Sequence, residues 1–151
     1  MIALVQRVLE ASVAVESQMV NIINSGLLVL LGVSTGDSEN EAKYLAGKTA
    51  NLRIFGDENQ KMNLSLLDTG YEILVVSQFT LHADTRHGNR PSFTDAAEPE
   101  KAKELYKSYI EECSKLIGSS KVKEGKFGAM MKVKLVNDGP VTIILKSKNE
   151  G

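Results

Sequence analysis

Residues 73–93 read ILVVSQFTLHADTRHGNRPSF, and the fold follows from how this stretch is read. It opens with four apolar residues, Ile73-Leu74-Val75-Val76, three of them β-branched, behind a turn signal at Asp68-Thr69-Gly70. Such a run predicts a strand buried on both faces. Ser77, Gln78, Phe79 and Thr80 come next. A buried strand ending this way delivers hydroxyls and an amide to its carboxyl end, where sites form in α/β folds. The polar loop that follows holds both histidines, His82 and His87, together with Asp84, Arg86 and Arg90. The alternative is a strand merely closed by Ser77 and Thr80 and followed by a solvated loop.

Upstream, Leu27 to Val33 gives a second buried strand, bounded by Gly26 and Ser34-Thr35-Gly36. Ser38-x-x-Glu41 forms a capping box, and Ala42, Leu45, Ala46, Thr49 and Leu52 follow at helical spacing. That helix is expected to end near Arg53, before a polar loop from Gly56 to Lys61 and a short element from Met62 to Leu67. Ile2 to Val8 reads as a strand, with Arg7 as its one charge. An arginine in so apolar a segment needs a partner, either a structural ion pair or something functional that it orients. Ser12 to Val15 and Met19 to Ile23 read as a hairpin around Glu16-Ser17-Gln18, without the strong Asn-Gly signal.

Downstream, Pro99 starts a helix whose stripe is Ala102, Leu105, Tyr106, Tyr109, Ile110, Cys113, Leu116 and Ile117, stopped by Gly118. Cys113 lies on that stripe and reads as a core residue, as do Tyr106 and Tyr109. Lys126 to Met130 is a loop, and Met131 to Val136 alternates as a strand. Asn137-Asp138-Gly139-Pro140 reads as a tight connection to a last strand, Val141 to Leu145, and Lys146 to Gly151 is expected to fray. The residues alone favour an ordinary trans Gly139-Pro140 bond.

The expected fold is therefore one mixed α/β domain over residues 1–151. A mixed or largely antiparallel sheet is expected to carry two main helices. Lys plus Arg is 18 against 19 for Asp plus Glu, so no overall basic excess marks a non-specific nucleic-acid binder. Any RNA contact has to come from a local patch, and DNA is not an expected partner. The single cysteine excludes an internal disulfide. Arg7 and Glu10 break the first apolar run too early for a signal peptide, and Gly26 to Val33 is too short to span a membrane. The expected location is the cytoplasm.

Three chemistries fit the central loop. Ser77 or Thr80 with His82 or His87 and Asp84 suggests a hydrolytic triad, but no Gly-x-Ser-x-Gly elbow is present. His82-x-Asp84-x-x-His87 matches no strong metal-ligand spacing, so neither metal nor cofactor is expected. Arg86 to Arg90 offers charge-assisted hydrogen bonds to phosphate, against the alternative of a solvated charged loop.

Ser77-Gln78-Phe79-Thr80-Leu81 and Asn137-Asp138-Gly139-Pro140-Val141-Thr142 resemble the two signature motifs of the D-aminoacyl-tRNA deacylases, first described as D-tyrosyl-tRNA deacylases. Further matching blocks run along nearly the whole chain, among them Val5-Gln6-Arg7-Val8, Lys61-Met62-Asn63-Leu64, Arg90-Pro91-Ser92-Phe93 and Phe127-Gly128-Ala129. His82 and His87-Gly88-Asn89 are variable points, so the histidines inherit no role.

The resemblance implies a barrel-like sheet whose strands make the contacts of a homodimer, and a carboxylic ester hydrolase acting on D-aminoacyl-tRNA, with sites at the dimer interface. It implies a cis Gly139-Pro140 bond reaching into the partner's site, where backbone carbonyls take the substrate's α-ammonium and exclude an L side chain. Glycine, lacking a side chain, is then poorly rejected. Asn137 and Thr142 belong to this second motif. Ser77 and Gln78 are expected to shape the pocket, and Phe79 and Met131 to pack on the terminal adenine. Arg7 is expected to brace the Gly-Pro segment, and Arg86 and Arg90 to meet tRNA phosphates. Thr80 is the family position once proposed as nucleophile. No general base stands beside it, which favours water assisted by the ribose 2′-hydroxyl, with N–H groups near Phe79 and Thr80 holding the oxyanion. The competing reading is a non-catalytic nucleic-acid-binding dimer.

Overall fold

The computed structural model describes residues 1–147; the expectation for the tail from 148 to 151 lies outside the described residues. The frame is a six-stranded mixed sheet. Its spine is β1 (Ile2–Val15), twice the length expected from the sequence. One edge of β1 pairs with β3 (Gly26–Gly32) through Ile2–Val8 and with β2 (Gln18–Ile23) through Ala11–Val15. Its other edge pairs with β8 (Lys132–Lys146) along almost its whole length. Leu9 and Glu10 are exposed and break the apolar alternation, yet they do not end the strand. Register shifts in the pairing with β8, between Gln6 and Val8 and between Val8 and Glu10, let it continue. Each irregularity resets the alternation, so Val8, Ala11 and Val13 all face inward.

The same irregularity corrects the reading of Asn137 to Pro140. These residues do not connect two strands. They are a distortion within the single strand β8, and the Gly139-Pro140 bond is cis rather than trans. At the other end of β1 the hairpin forms as expected. Glu16 and Ser17 both take left-handed backbone, at φ 50° and 65°, the primed turn that matches strand twist.

Strands β6 (Glu72–Ser77) and β7 (Val122–Glu124) add in parallel beyond β3. The Asn21 side-chain amide on β2 donates to the Glu124 carbonyl on β7 at 2.6 Å, so the sheet curls into a nearly closed barrel. Val8, Ala11, Val13, Ile23, Leu28, Leu74 and Val76 fill its interior. The opposite face, including Val5, Val29, Ile73 and Val75, packs against two helices. These are α1 (Glu39–Asn51), capped by Ser38 and Glu41 as expected, and a long helix (Pro99–Ile117) stopped by Gly118. Between them lie β4 (Phe55–Gly56), β5 (Met62–Leu64) and a single helical turn, α2 (Leu66–Thr69), which makes the long helix α3. The element expected over Met62 to Leu67 is thus two pieces, because Ser65 and Asp68 form a second capping box. Nor does the chain fray at Lys146: Ser147 is buried, and its hydroxyl takes a 2.8 Å bond from the Met1 α-ammonium.

Tyr109 on α3 donates to Thr49 of α1 at 2.7 Å, and Tyr106 donates to the Val75 carbonyl at 2.8 Å. The Gly125 N–H reaches the same carbonyl at 2.9 Å. The carboxyl half of β6 is therefore fixed from the helix layer and from β7, just before the chain enters the polar stretch.

Candidate active site

Strand β6 is buried from Ile73 to Val76, as its apolar run demands, and opens at Ser77 and Gln78. The Gln78 N–H bonds the Leu31 carbonyl at 2.8 Å, the last tie to β3. Phe79 to His82 then form one 3-10 turn. Its first N–H groups, those of Phe79 and Thr80, have no acceptor within the turn, and both residues are exposed. The Gln78 amide donates to the Thr80 hydroxyl across the start of the turn. Gly32 lies directly beneath. A Cβ there would come within 3.0 Å of the Gln78 carbonyl and of Leu81 Cβ, so only glycine lets the turn sit this close.

Phe79 is 53% exposed, and its ring meets that of Phe93 edge-on at 5.1 Å. Nothing in the order of residues signals this contact. It depends on the loop doubling back through paired Asp84 and Ser92 backbones, at 2.8 and 2.9 Å. Within that loop the Arg86 guanidinium is held by both oxygens of Asp84, at 2.9 and 2.6 Å. The arginine holds the Asp84 carboxyl down at about 2. Arg86 is thus already paired, whereas Arg90 is exposed. His82 is buried beneath the turn, with no hydrogen-bond partner for Nε2 among the described residues. His87 is exposed and does not join it, so no triad assembles with Thr80. Among the described residues no group of three or more His, Cys, Asp and Glu is placed to hold a metal ion.

The second motif is built by two braces. Asn137 donates its side-chain amide to the carbonyls of Arg7 at 2.9 Å and Val141 at 3.0 Å. Arg7 Nε donates to the Asp138 carbonyl at 3.2 Å and Nη1 to the Ile54 carbonyl at 2.6 Å. Asp138 also pairs with Arg7 through its carboxylate at 3.2 Å. Arg7 is therefore ion-paired, and it also donates to the backbone beside the Gly-Pro segment. The Ile54 anchor is not visible in the sequence, because it is a carbonyl that any residue would supply. Gly139 and Pro140 project outward, exposed, between the braces. Thr142 takes a 3.3 Å bond from Gln6.

The two motifs do not meet within the chain. Val8 pairs with Asn137 and with Gly26, and Gly26 pairs with Glu72, so the Gly-Pro segment is level with the amino end of β6. Thr80 follows the carboxyl end. At about 3.3 Å per residue and about 4.8 Å per strand, the separation is on the order of 15 Å or more. One apolar row lies between them. Leu4 pairs with Leu30 and with Ile144; the first two are half-buried and Ile144 is 58% exposed. Met131 is half-buried at the rim, its sulfur packed over Gly125.

A family model described as D-Tyr-tRNA(Tyr) deacylase matches residues 4–146. The chain belongs to this family. A protein of Roseiflexus castenholzii named D-aminoacyl-tRNA deacylase is 59% identical over 96% of this chain and 91% of its own length. One of Thermosipho africanus with the same name is 55% identical, with 97% of both chains covered. Among solved structures, the c-Myc DNA Unwinding Element Binding Protein superposes with a TM-score of 0.93 at 45% identity, over 97% of this chain and 99% of that one. A probable eukaryotic D-amino acid tRNA deacylase, 16% identical over 95% of this chain and 97% of its own, superposes at 0.80 and shares the fold. This mixed, nearly closed sheet and its helices thus recur in solved structures at 45% and at 16% identity.

Proposed function

We propose that the protein hydrolyses the ester of D-aminoacyl-tRNA at a site shared by two copies of the chain. The observation that carries this reading is the separation of the two exposed motifs within one chain, with an apolar row between them. A second copy docked through Leu4, Leu30 and Ile144 brings its Gly139-Pro140 segment to the first copy's Thr80 turn. Charge and catalytic groups then divide between the chains. Carbonyls of the exposed Gly-Pro segment, which Arg7 and Asn137 brace, accept the substrate's α-ammonium. With ammonium and ester carbonyl both pinned, an L side chain meets rigid backbone and a D side chain points away. Selection by exclusion leaves the side-chain type free and leaves glycine poorly rejected.

On the other chain, Phe79 and Met131 receive the terminal adenine by apolar and stacking contact. The N–H groups of Phe79 and Thr80 stabilise the oxyanion as water adds to the ester carbonyl. The substrate's 2′-hydroxyl assists the attack. Collapse breaks the bond to the ribose 3′-oxygen, which leaves as a hydroxyl with the proton taken from water, and the D-amino acid departs as carboxylate. Gln78 spends its amide on Thr80 and so orients that hydroxyl rather than deprotonating it. This is proofreading chemistry on a translation substrate, and its place is the cytoplasm; no helix among the described residues is long and apolar enough to cross a membrane.

Hydrolysis of one tRNA charged with a D-amino acid, its L enantiomer or glycine tests the reading. Rapid loss of the D ester, with the L ester spared and glycine intermediate, is expected; equal loss of D and L would sink chiral exclusion. The name of the 45%-identical solved structure favours a second reading, a non-catalytic nucleic-acid-binding dimer. No hydrolysis of any ester would move the assignment there.

A further inference from the structure

We propose that the lysines of residues 121–134 form the surface along which the RNA backbone of the substrate lies. The inference rests on the deacylase reading above. The segment holds Lys121, Lys123, Lys126, Lys132 and Lys134 against a single acid, Glu124, in a chain whose net charge is only −1. Lys121, Lys126, Lys132 and Lys134 are exposed, and none of their ammonium groups makes an ion pair or hydrogen bond with another described residue. By contrast, Arg7 is ion-paired with Asp138 and Arg86 with Asp84.

Position gives this excess a purpose. Strand β7 pairs with β6, and the loop after it is tied to Val75 through the Gly125 N–H. Met131 closes that loop against Gly125, where a Cβ would also lie 3.6 Å from Val76, two residues before Gln78. The loop therefore lies beside the carboxyl half of β6, which leads into the Thr80 turn, and Lys126 is exposed on it. From there β8 carries the charge away from the site. Val133 and Leu135 turn inward toward the barrel interior, so Lys132 and Lys134 both stand on its outer face. Across from them on β1 are Ala14 and Ser12, small and uncharged. The next pair outward, Val136 and Glu10, ends the basic stretch. Met130, 92% exposed at the tip of the loop, offers an apolar contact to a base. Ammonium groups on a smooth strand wall suit phosphates as point charges and read no sequence, as an enzyme for many tRNAs requires.

The test compares the wild type with the triple variant Lys126→Glu, Lys132→Glu, Lys134→Glu on two substrates: D-aminoacyl-tRNA, and the same D-amino acid esterified to adenosine alone. For the tRNA, KM is expected to rise about tenfold or more with kcat within about twofold. The slope of log(kcat/KM) against log salt should flatten by about 2, at roughly 0.7 for each phosphate of single-stranded RNA that is no longer neutralised. Cleavage of the adenosine ester stays at the wild-type rate. Unchanged KM and salt slope overturn the surface, as does an equal loss on both substrates. If the wild type itself leaves D-aminoacyl-tRNA intact, the deacylase reading falls first and this one with it.

Discussion

Gly139 cannot be replaced by any residue with a side chain without moving its surroundings. Its φ is 130°, and an added Cβ would stand 2.7 Å from Val141 Cγ2 and 3.1 Å from Arg7 Nη2. Gly139→Ala therefore displaces the segment that Arg7 holds. Because the segment is exposed, the cost to stability is about 1–3 kcal/mol, a fall of several degrees in Tm. Activity on D-aminoacyl-tRNA should drop by about 100-fold or more, since a 1 Å misplacement already costs that much. Thermal melting and initial rates on the same preparation separate the two effects. Thr80 gives the opposite expectation. Thr80 is exposed, its hydroxyl takes a bond from the Gln78 amide, which accepts no proton, and no hydrogen bond joins it to His82 or His87 among the described residues. Thr80→Ala should keep kcat within about tenfold of wild type, because the backbone N–H groups remain. Total loss on Thr80→Ala, with Thr80→Ser active, would restore the hydroxyl as nucleophile.

At the scale of elements, α3 carries three buried ionisable groups that stay neutral. Burial pushes the Cys113 thiol up to about 12 from an ordinary 9.0, and raises Tyr106 and Tyr109 above their usual 10.0. Above pH 9 the unfolded chain gives up protons that the folded chain keeps. Stability is therefore fully present below pH 9 and falls as pH rises, at about 1.4 kcal/mol per unit for each group in its window. Melting temperature measured from pH 8 to 11 should decline from about 9 and more steeply above about 10. Cys113→Ala should flatten the first part of that decline, and an unaltered profile would contradict the burial of the thiol. Helix α3 is also the element most legible in the sequence, since its stripe, proline start and glycine stop agree with one another. Strands β3 and β6 are legible because burial on both faces leaves a continuous apolar run. The length of β1 and the continuity of β8 are not legible. Their paired irregularities exchange one alternation for another, and a period-2 reading ends at such a break. Contacts such as Arg7 with Ile54 and Phe79 with Phe93 depend on which elements the fold brings together, which local patterns do not encode.

At the scale of the whole molecule, the proposed site is divided between two places. The Thr80 turn would supply N–H groups to the oxyanion, and the Gly-Pro segment would receive the ammonium. The Gly-Pro segment is braced from behind and faces solvent. In the proposed arrangement each chain takes from a second copy what it lacks, and the row through Leu4, Leu30 and Ile144 is the surface proposed to join them. The measurement that tests this most directly is complementation between two disabled chains. One carries Gly139→Ala, the other Gln78→Ala with Phe79→Asp, and each alone is expected to be folded, dimeric and inactive on D-aminoacyl-tRNA. Unfolded and refolded together, half the dimers are mixed and each mixed dimer rebuilds one of its two sites, so activity should return to about a quarter of the wild-type level. Mixed dimers that form, as shown by a tag on one chain, yet remain inactive would contradict a site shared between the two copies.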